Sequence, residues 1–409
     1  MTDSSVSRFD MTSPQGNPYP RYAEWRREAA LHRLALEEMS PSMRTQGRMI
    51  FGGEIPPIFV ALTHDAVAEI LRDAERFSSS CYASTMGLVM GHTILEMDPP
   101  EHGRYRGLLQ QAFSRRALER WEHELVRPII ARHVGALAAR GRADLVRELT
   151  LPFPVAVIAG MVGVAEGDLG DFHRWAVELI GIAGDPGRGM AASQSLRELF
   201  SRLLAERRRS PSDDLVGVLA RAELDGVRLD DEAIYAFLRL LAPAGAETTY
   251  RSSSNLLCGL LTHPEQLEAL RADRSLMGDA IEEGLRWESP ITTIQRSCTC
   301  DTSVQGVQIP KHSLVIVSLG AANRDPARYE RPDAFDIFRP LKAHLSFAFG
   351  PHRCLGMHLA RIETHVLLDA LLDRLPGLRL DPEAKPPEIT GSGFRSPPEL
   401  RVAFDAESH

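Results

Sequence analysis

The most distinctive chemical setting in the chain surrounds Cys354. Phe347, Gly350, His352, Cys354 and Gly356 occur at short spacings and are followed by the helical run 357–374. A thiolate that serves as a metal ligand must sit where the backbone can approach a flat cofactor closely, which glycines on both sides permit. Amide groups and the positive end of a following helix lower the thiol pKa. A lone cysteine is also commonly a buried packing residue, and the residue type by itself leaves that alternative open. A second group lies in the run from Asp231 to Leu261, where Glu247, Thr248 and Thr249 follow a strongly apolar stretch. An acid and two alcohols are costly to bury there without a purpose. Pro243 and Gly245 weaken that helix, and an opening at this point could accept water or dioxygen. The alternative is a kinked core helix whose threonines bond back to their own carbonyls.

Two further pairs sit at helical spacing. Glu283 and Arg286 are three apart, which by default reads as a surface ion pair. His102 and Arg106 are four apart in a helix that starts after Pro99 and Pro100, with Asp98 expected at its N-cap. Two such groups on one face invite an anion, against the alternative of solvated surface charge.

These groups need elements to hold them. Apolar spacing is helical over 61–77 and 101–138 and onward to about residue 270, with turn signals at 184–189 and 210–214. Strand-like runs are few and short: 56–62, 304–309, 314–319 and 401–404. No linker or repeat divides the chain, so the expectation is one mainly α domain over 1–409 with a small β-rich region and a flexible lead of about 20 residues. An apolar content of 44% with 25% charged residues excludes disorder as the main state. A net charge of −8 disfavours nucleic acid. Five scattered cysteines make no disulfide framework and point to a reducing, cytoplasmic setting. Cys298 and Cys300 suit one face of a strand better than a metal clip. The N-terminus lacks a signal peptide, and the uncharged segment 149–165 carries Pro152 and Pro154 and reads as a buried helix rather than a membrane anchor.

The segment from Phe347 to Gly356 resembles the haem-binding loop of the cytochrome P450 family, soluble bacterial type, and the other motifs follow in that family's order from residue 98 to 363. The resemblance implies the cytochrome P450 fold and haem b (iron protoporphyrin IX), with Cys354 as axial ligand of the iron, whose electron donation favours O–O cleavage. It implies that Phe347, Gly350 and Gly356 shape the loop, and that His102, Arg106, Arg296 and His352 contact the haem propionates, as directed donors to carboxylates. Thr248 would hydrogen-bond dioxygen and Glu247 would relay protons to it. Glu283 and Arg286, completed by Arg339, would hold the scaffold of the cysteine loop. Pro243 departs from the usual pattern and bears on the shape of the oxygen-binding groove.

The implied activity is monooxygenation of a small apolar substrate by O2, by hydroxylation or epoxidation, with electrons from a separate ferredoxin and ferredoxin reductase. Arg104, Arg115, Arg116 and Arg353 are candidates to receive an acidic electron donor. Family order places the pocket in 78–97, 177–190, 240–248 and 291–294, with Ala244, Ile291, Ile294 and Phe394 among its lining residues. These segments are mostly small or aliphatic, which suits a terpenoid, steroid, fatty acid or macrolide-like compound. The rival functions are a hydrogen-peroxide-dependent peroxygenase of the same fold, which turnover without electron donors would reveal, and a non-catalytic haem-binding protein, which steady reductant consumption would exclude.

Overall fold

Apolar residues at helical spacing bury one another across most of the chain, and the computed structural model describes residues 9–11, 13, 16–183 and 185–406. The central element is the helix Asp231–Thr262, started by Asp230, whose side chain accepts from the amide of Ala233. Its 32 residues span about 48 Å at 1.5 Å per residue. Pro152–Val162 and Pro186–Arg209 pack against it, so most of its surface is buried. The segment expected to be a buried helix is that first neighbour, with Phe153, Val157 and Val162 fully enclosed. No helix among the described residues is long and apolar enough to cross a membrane.

A five-stranded sheet stands beside the helices in the order Leu31–Leu34, Ile58–Ala61, Leu314–Ser318, Thr293–Cys298, Phe77–Ser78. Ile58–Ala61 and Leu314–Ser318 run parallel and the remaining pairs antiparallel. Burial on both faces explains why Leu314–Ser318 reads as one continuous apolar run. A second sheet joins Arg379–Leu380, Arg401–Ala403 and Arg142–Asp144. The expected strand over 304–309 is instead a hairpin, Thr302–Val304 against Val307–Ile309, because Gln305 and Gly306 both take positive φ. Cys298 ends its strand and Cys300 lies in the turn beyond, so the two share no strand face; the Cys298 thiol donates to the Cys300 carbonyl. Residues 1–8 of the expected flexible lead lie outside the described residues. Further along it, Phe9 is buried against Tyr22 and Trp25, and the helix Tyr19–Glu28 has already begun.

Glu283 and Arg286, on the helix Met277–Trp287, are not a surface pair. Their side chains are 4% and 3% exposed and meet through two 2.7 Å contacts. Arg339 Nε approaches the same carboxylate at 3.4 Å. Arg286 also donates to the carbonyls of Asn323, Pro332 and Ala334. Asn323 in turn accepts from the Leu345 amide and donates to the Ser346 hydroxyl, so the charged cluster reaches the segment that leads into the cysteine loop. Replacing one member of a buried pair leaves the other charge uncompensated, and Glu283→Gln is expected to cost about 3–5 kcal/mol. A urea unfolding midpoint checks this, with Glu119→Gln in the exposed Arg115 pair as the control that leaves the midpoint nearly unchanged.

Candidate functional site

The cysteine loop is held by its backbone. The Cys354 amide donates to the Phe347 carbonyl at 2.9 Å, closing a turn that contains Ala348 and Gly350, both with positive φ. Gly350 fits because a Cβ there would stand 2.2 Å from the Leu71 carbonyl oxygen. Gly350 therefore permits close packing onto the helix His64–Arg72. Gly356 is different: a Cβ there would meet nothing within 4 Å, and Gly356 starts the helix Met357–Arg374. Phe347 is packed beneath the Arg361 guanidinium, 4.6 Å from its ring centre.

Cys354 is exposed, yet crowding by protein atoms pushes its thiol pKa up. Both hold when a side chain lines a hollow: it is open on one side and poorly solvated on the others. The Gly356 amide and the guanidinium groups of Arg106, Arg361 and Arg353 act in the opposite direction and favour the thiolate.

On the long helix, Ala244 is exposed although residues around it are buried, which marks where the helix borders a hollow. The helix continues through Pro243 without a break. Thr248 Oγ donates to the Ala244 carbonyl at 2.6 Å, the back-bonding alternative. Glu247 pairs with Arg251 at 2.9 Å; burial raises its pKa and Arg251 pulls it down. Arg251 also donates to the Ser396 hydroxyl at 3.0 Å and lies 5.5 Å from the Phe394 ring centre. Phe394, bridged to Ile291, is 44% exposed, and Ile294 is half-buried on the strand Thr293–Cys298.

The four expected carboxylate contacts gather into one cluster. His102 is 2% exposed with no partner for Nε2, and its ring centre lies 4.0 Å from that of His352. His352 Nε2 is 3.1 Å from the Ser79 hydroxyl, and its pKa is pushed down to about 3 by burial and then by Arg296, His102 and Arg106. Arg296 is buried and donates to the Gln295 carbonyl. Burial lowers the Arg106 pKa while Cys354 raises it. Neither arginine has an acid within ion-pair distance among the described residues. Asp98 is spent elsewhere: it accepts from the Ser78 hydroxyl and the Ser79 amide, and Pro100, not Asp98, is the N-cap of Glu101–Ala112. A cluster whose two arginines lack an ion-pair acid, with an orphaned buried nitrogen on His102 and an exposed cysteine nearby, fits a cofactor that brings its own carboxylates and a metal.

Sequence reasoning missed two groups. Glu363 is fully enclosed between the Met357–Arg374 helix and the long helix, accepts from Thr249 Oγ at 3.3 Å, and has a pKa raised to about 8 by burial. Arg251 went unnoticed as the partner of Glu247, although i to i+4 spacing was a usable signal.

A family model described as Cytochrome P450 matches residues 186–402. Cytochrome P450 monooxygenase PikC of Streptomyces venezuelae is 35% identical over 378 residues, covering 89% of this chain and 85% of the relative. The solved structure of CYP109Q5 from Chondromyces apiculatus superposes with a TM-score of 0.87 at 34% identity, covering 99% of this chain and 100% of that one. CYP109E1 from Bacillus megaterium in complex with testosterone gives 0.84 at 29%, covering 96% and 100%. With the cysteine loop, the acid and alcohol on the long helix and the acid-free cluster all carried by this fold, the chain belongs to the cytochrome P450 family of haem-thiolate monooxygenases.

Proposed function

We propose that this chain acts as one domain, in the cytoplasm, as a haem b monooxygenase that inserts one oxygen atom from O2 into an apolar organic substrate and takes two electrons from a ferredoxin and its reductase. The acid-free gathering of His102, Arg106, Arg296 and His352 next to Cys354 carries this reading. Cys354 as thiolate would hold the metal, and the four cluster residues would hold the cofactor's carboxylates by charge-assisted hydrogen bonds. When bound, haem b supplies the redox chemistry that activates dioxygen.

The protein supplies position and protons. Thr248 keeps its hydroxyl proton on the Ala244 carbonyl, and Glu247 keeps its carboxylate on Arg251. Releasing these two contacts frees a donor and a proton carrier beside exposed Ala244, where dioxygen and substrate would meet. Ala244, Ile291, Ile294 and Phe394 supply a mainly apolar wall, and the testosterone complex of the structural neighbour supports a hydrocarbon-rich substrate. Arg104, Arg115, Arg116 and Arg353 offer positive charge to an acidic donor protein.

The carbon monoxide spectrum of the reduced protein is the first test: it should carry the thiolate signature, and Cys354→Ser should lose it. Thr248→Ala is expected to divert turnover to hydrogen peroxide, seen as a raised ratio of peroxide to product; unchanged coupling refutes the assigned role. Arg251→Gln removes the cation that lowers the Glu247 pKa, so that pKa rises further. Glu247 then stays protonated to higher pH, and the acid limb of product formed per O2 consumed should move to higher pH. Arg251→Lys, which keeps the charge, should leave most of the limb in place.

A further inference from the structure

One charged cluster has no part in the site described above. It lies between the short helix Met86–Met90 and the helix Glu101–Ala112. His92 stands between two carboxylates there: Nδ1 is 2.5 Å from Glu96 Oε1, and Nε2 is 3.1 Å from Glu101 Oε1. Glu96 belongs to the connecting segment, and Glu101 opens the helix one residue before His102. The charges around the imidazole are thus Glu96 from its own segment and Glu101 from the helix ahead. The long helix brings the Arg239 guanidinium to the neighbouring Gly91, where an added Cβ would stand 2.9 Å from Nη2. Met86–Met90 and Pro186–Arg209 bring the uncharged Gly87 and Ser193 to this segment and its anchor.

An ionised carboxylate only accepts hydrogen bonds, and an imidazole carries N–H groups on both nitrogens only as the cation. The neutral ring has one N–H, so it serves one glutamate and turns a lone pair toward the other. The arrangement therefore specifies the imidazolium. Burial pulls the His92 pKa down, but the bonds to Glu96 and Glu101 outweigh it and the net shift is upward. Glu96 depends on this cation. Its side chain is 6% exposed, its Oε2 is enclosed without a partner, and an added Cβ at Gly87 would collide with that oxygen. Among the described residues the Glu96 carboxylate has no hydrogen-bond partner other than His92.

Residues 91–96 are anchored at both ends. Behind them Met90 is in the core, and the Ser193 hydroxyl donates to the Val89 carbonyl at 2.5 Å. Ahead, the Met97 backbone meets His352, and Asp98 holds the Ser78 hydroxyl and the Ser79 amide. Between these anchors the backbone bonds back to its own turn, since the amides of Leu95 and Glu96 donate to Thr93. The contact that ties this span to the next helix is the His92 side chain. The span falls in 78–97, which family order places at the substrate pocket, and its far end touches the cluster assigned to the cofactor carboxylates.

We propose that His92 is a positioning residue that works as a proton-dependent strap: as the imidazolium it ties residues 91–96 to the first turn of Glu101–Ala112, and as the neutral ring it lets go of one carboxylate and frees the segment to open the pocket. The strap is closed while His92 is charged. As pH rises through its pKa, which lies above the ordinary imidazole value, one tie is lost and Glu96 or Glu101 faces a lone pair. The role at the pocket rests on the monooxygenase reading, whereas the strap itself rests on the three side chains.

The test follows hydrogen exchange of the haem-loaded full chain by mass spectrometry from about pH 5 to above neutral, with rates corrected for the intrinsic effect of pH. Protection of the amides in 91–96 is expected to fall on the order of tenfold as His92 loses its proton, because one charge-assisted hydrogen bond is lost. In His92→Ala protection should be low and independent of pH. Glu101→Gln removes an anion that favours the imidazolium, so the midpoint should move to lower pH. Carbon monoxide, which is uncharged, probes the pocket: its association with the reduced protein should quicken with the same midpoint and lose that dependence in His92→Ala. Protection that does not change with pH in the wild-type protein overturns the proposal, as does a transition that survives His92→Ala with its midpoint unmoved. Carbon monoxide association that stays flat while exchange titrates overturns the role at the pocket. A missing thiolate signature in the wild-type protein counts against the haem reading, and the exchange measurement decides the strap without it.

Discussion

The position of the Cys354 sulfur depends on a backbone contact that tolerates no side chain. Gly350 lies so close to the Leu71 carbonyl that a Cβ would stand 2.2 Å from that oxygen, and its φ is +72°. The turn can therefore sit on His64–Arg72 in one way, and the Cys354 amide then reaches the Phe347 carbonyl. Leu345 and Ser346, just before the turn, are tied through Asn323 to the Glu283, Arg286 and Arg339 cluster. A buried ion cluster is a poor source of net stability, because desolvation offsets most of the attraction. Its value here is directional: Arg286 has fixed donor vectors, and they fix three carbonyls in two separate segments, at Asn323 and at Pro332 and Ala334.

Around that anchor the charges are unevenly compensated. Glu283, Glu288 and Glu247 all have guanidinium partners. Glu363 has only the Thr249 hydroxyl, and its pKa near 8 leaves it mostly protonated at neutral pH. On the cationic side, the arginines of the cluster of His102, Arg106, Arg296 and His352 have no acid within ion-pair distance among the described residues, and burial and the neighbouring guanidiniums lower both imidazole pKa values although Asp98 opposes them at His102. The buried glutamates are paired or protonated, whereas the buried Arg239 and Arg296 have no acid within ion-pair distance among the described residues.

What the sequence made legible follows from distance along the chain. The loop from Phe347 to Gly356, the Glu247 and Thr248 pair and the helix carrying His102 and Arg106 are local patterns, and each is found on the predicted kind of element. The 304–309 run looked like one strand because a hairpin turn at Gln305 and Gly306 interrupts a branched sequence without changing its apolar count. Asp98 looked like a cap because of its spacing, but Ser78 and Ser79, about 20 residues away, claim its oxygens. The contact of Gly350 with Leu71 was not legible, because the two lie nearly 280 positions apart. Glu363 and Arg239 gave no signal, since what distinguishes them is the missing partner, and a missing partner is visible only in three dimensions.

Arg251 shows how such a long-range partner changes the meaning of a local motif. In sequence it is the fourth residue after Glu247, an ordinary helical ion pair worth a few tenths of a kcal/mol. In the structure the same guanidinium also holds the Ser396 hydroxyl and lies against Phe394, on a hairpin closed by the Thr390 and Ser396 bridge. A guanidinium has five N–H donors, but its plane can face only one direction. Glu247, Ser396 and Phe394 therefore meet on one side chain. Glu247 is the end more easily released, because burial already favours its neutral form and a neutral carboxyl holds an arginine far less strongly. A long-range contact to the segment around Phe394 and Ser396 and a local helical ion pair with Glu247 thus share one guanidinium.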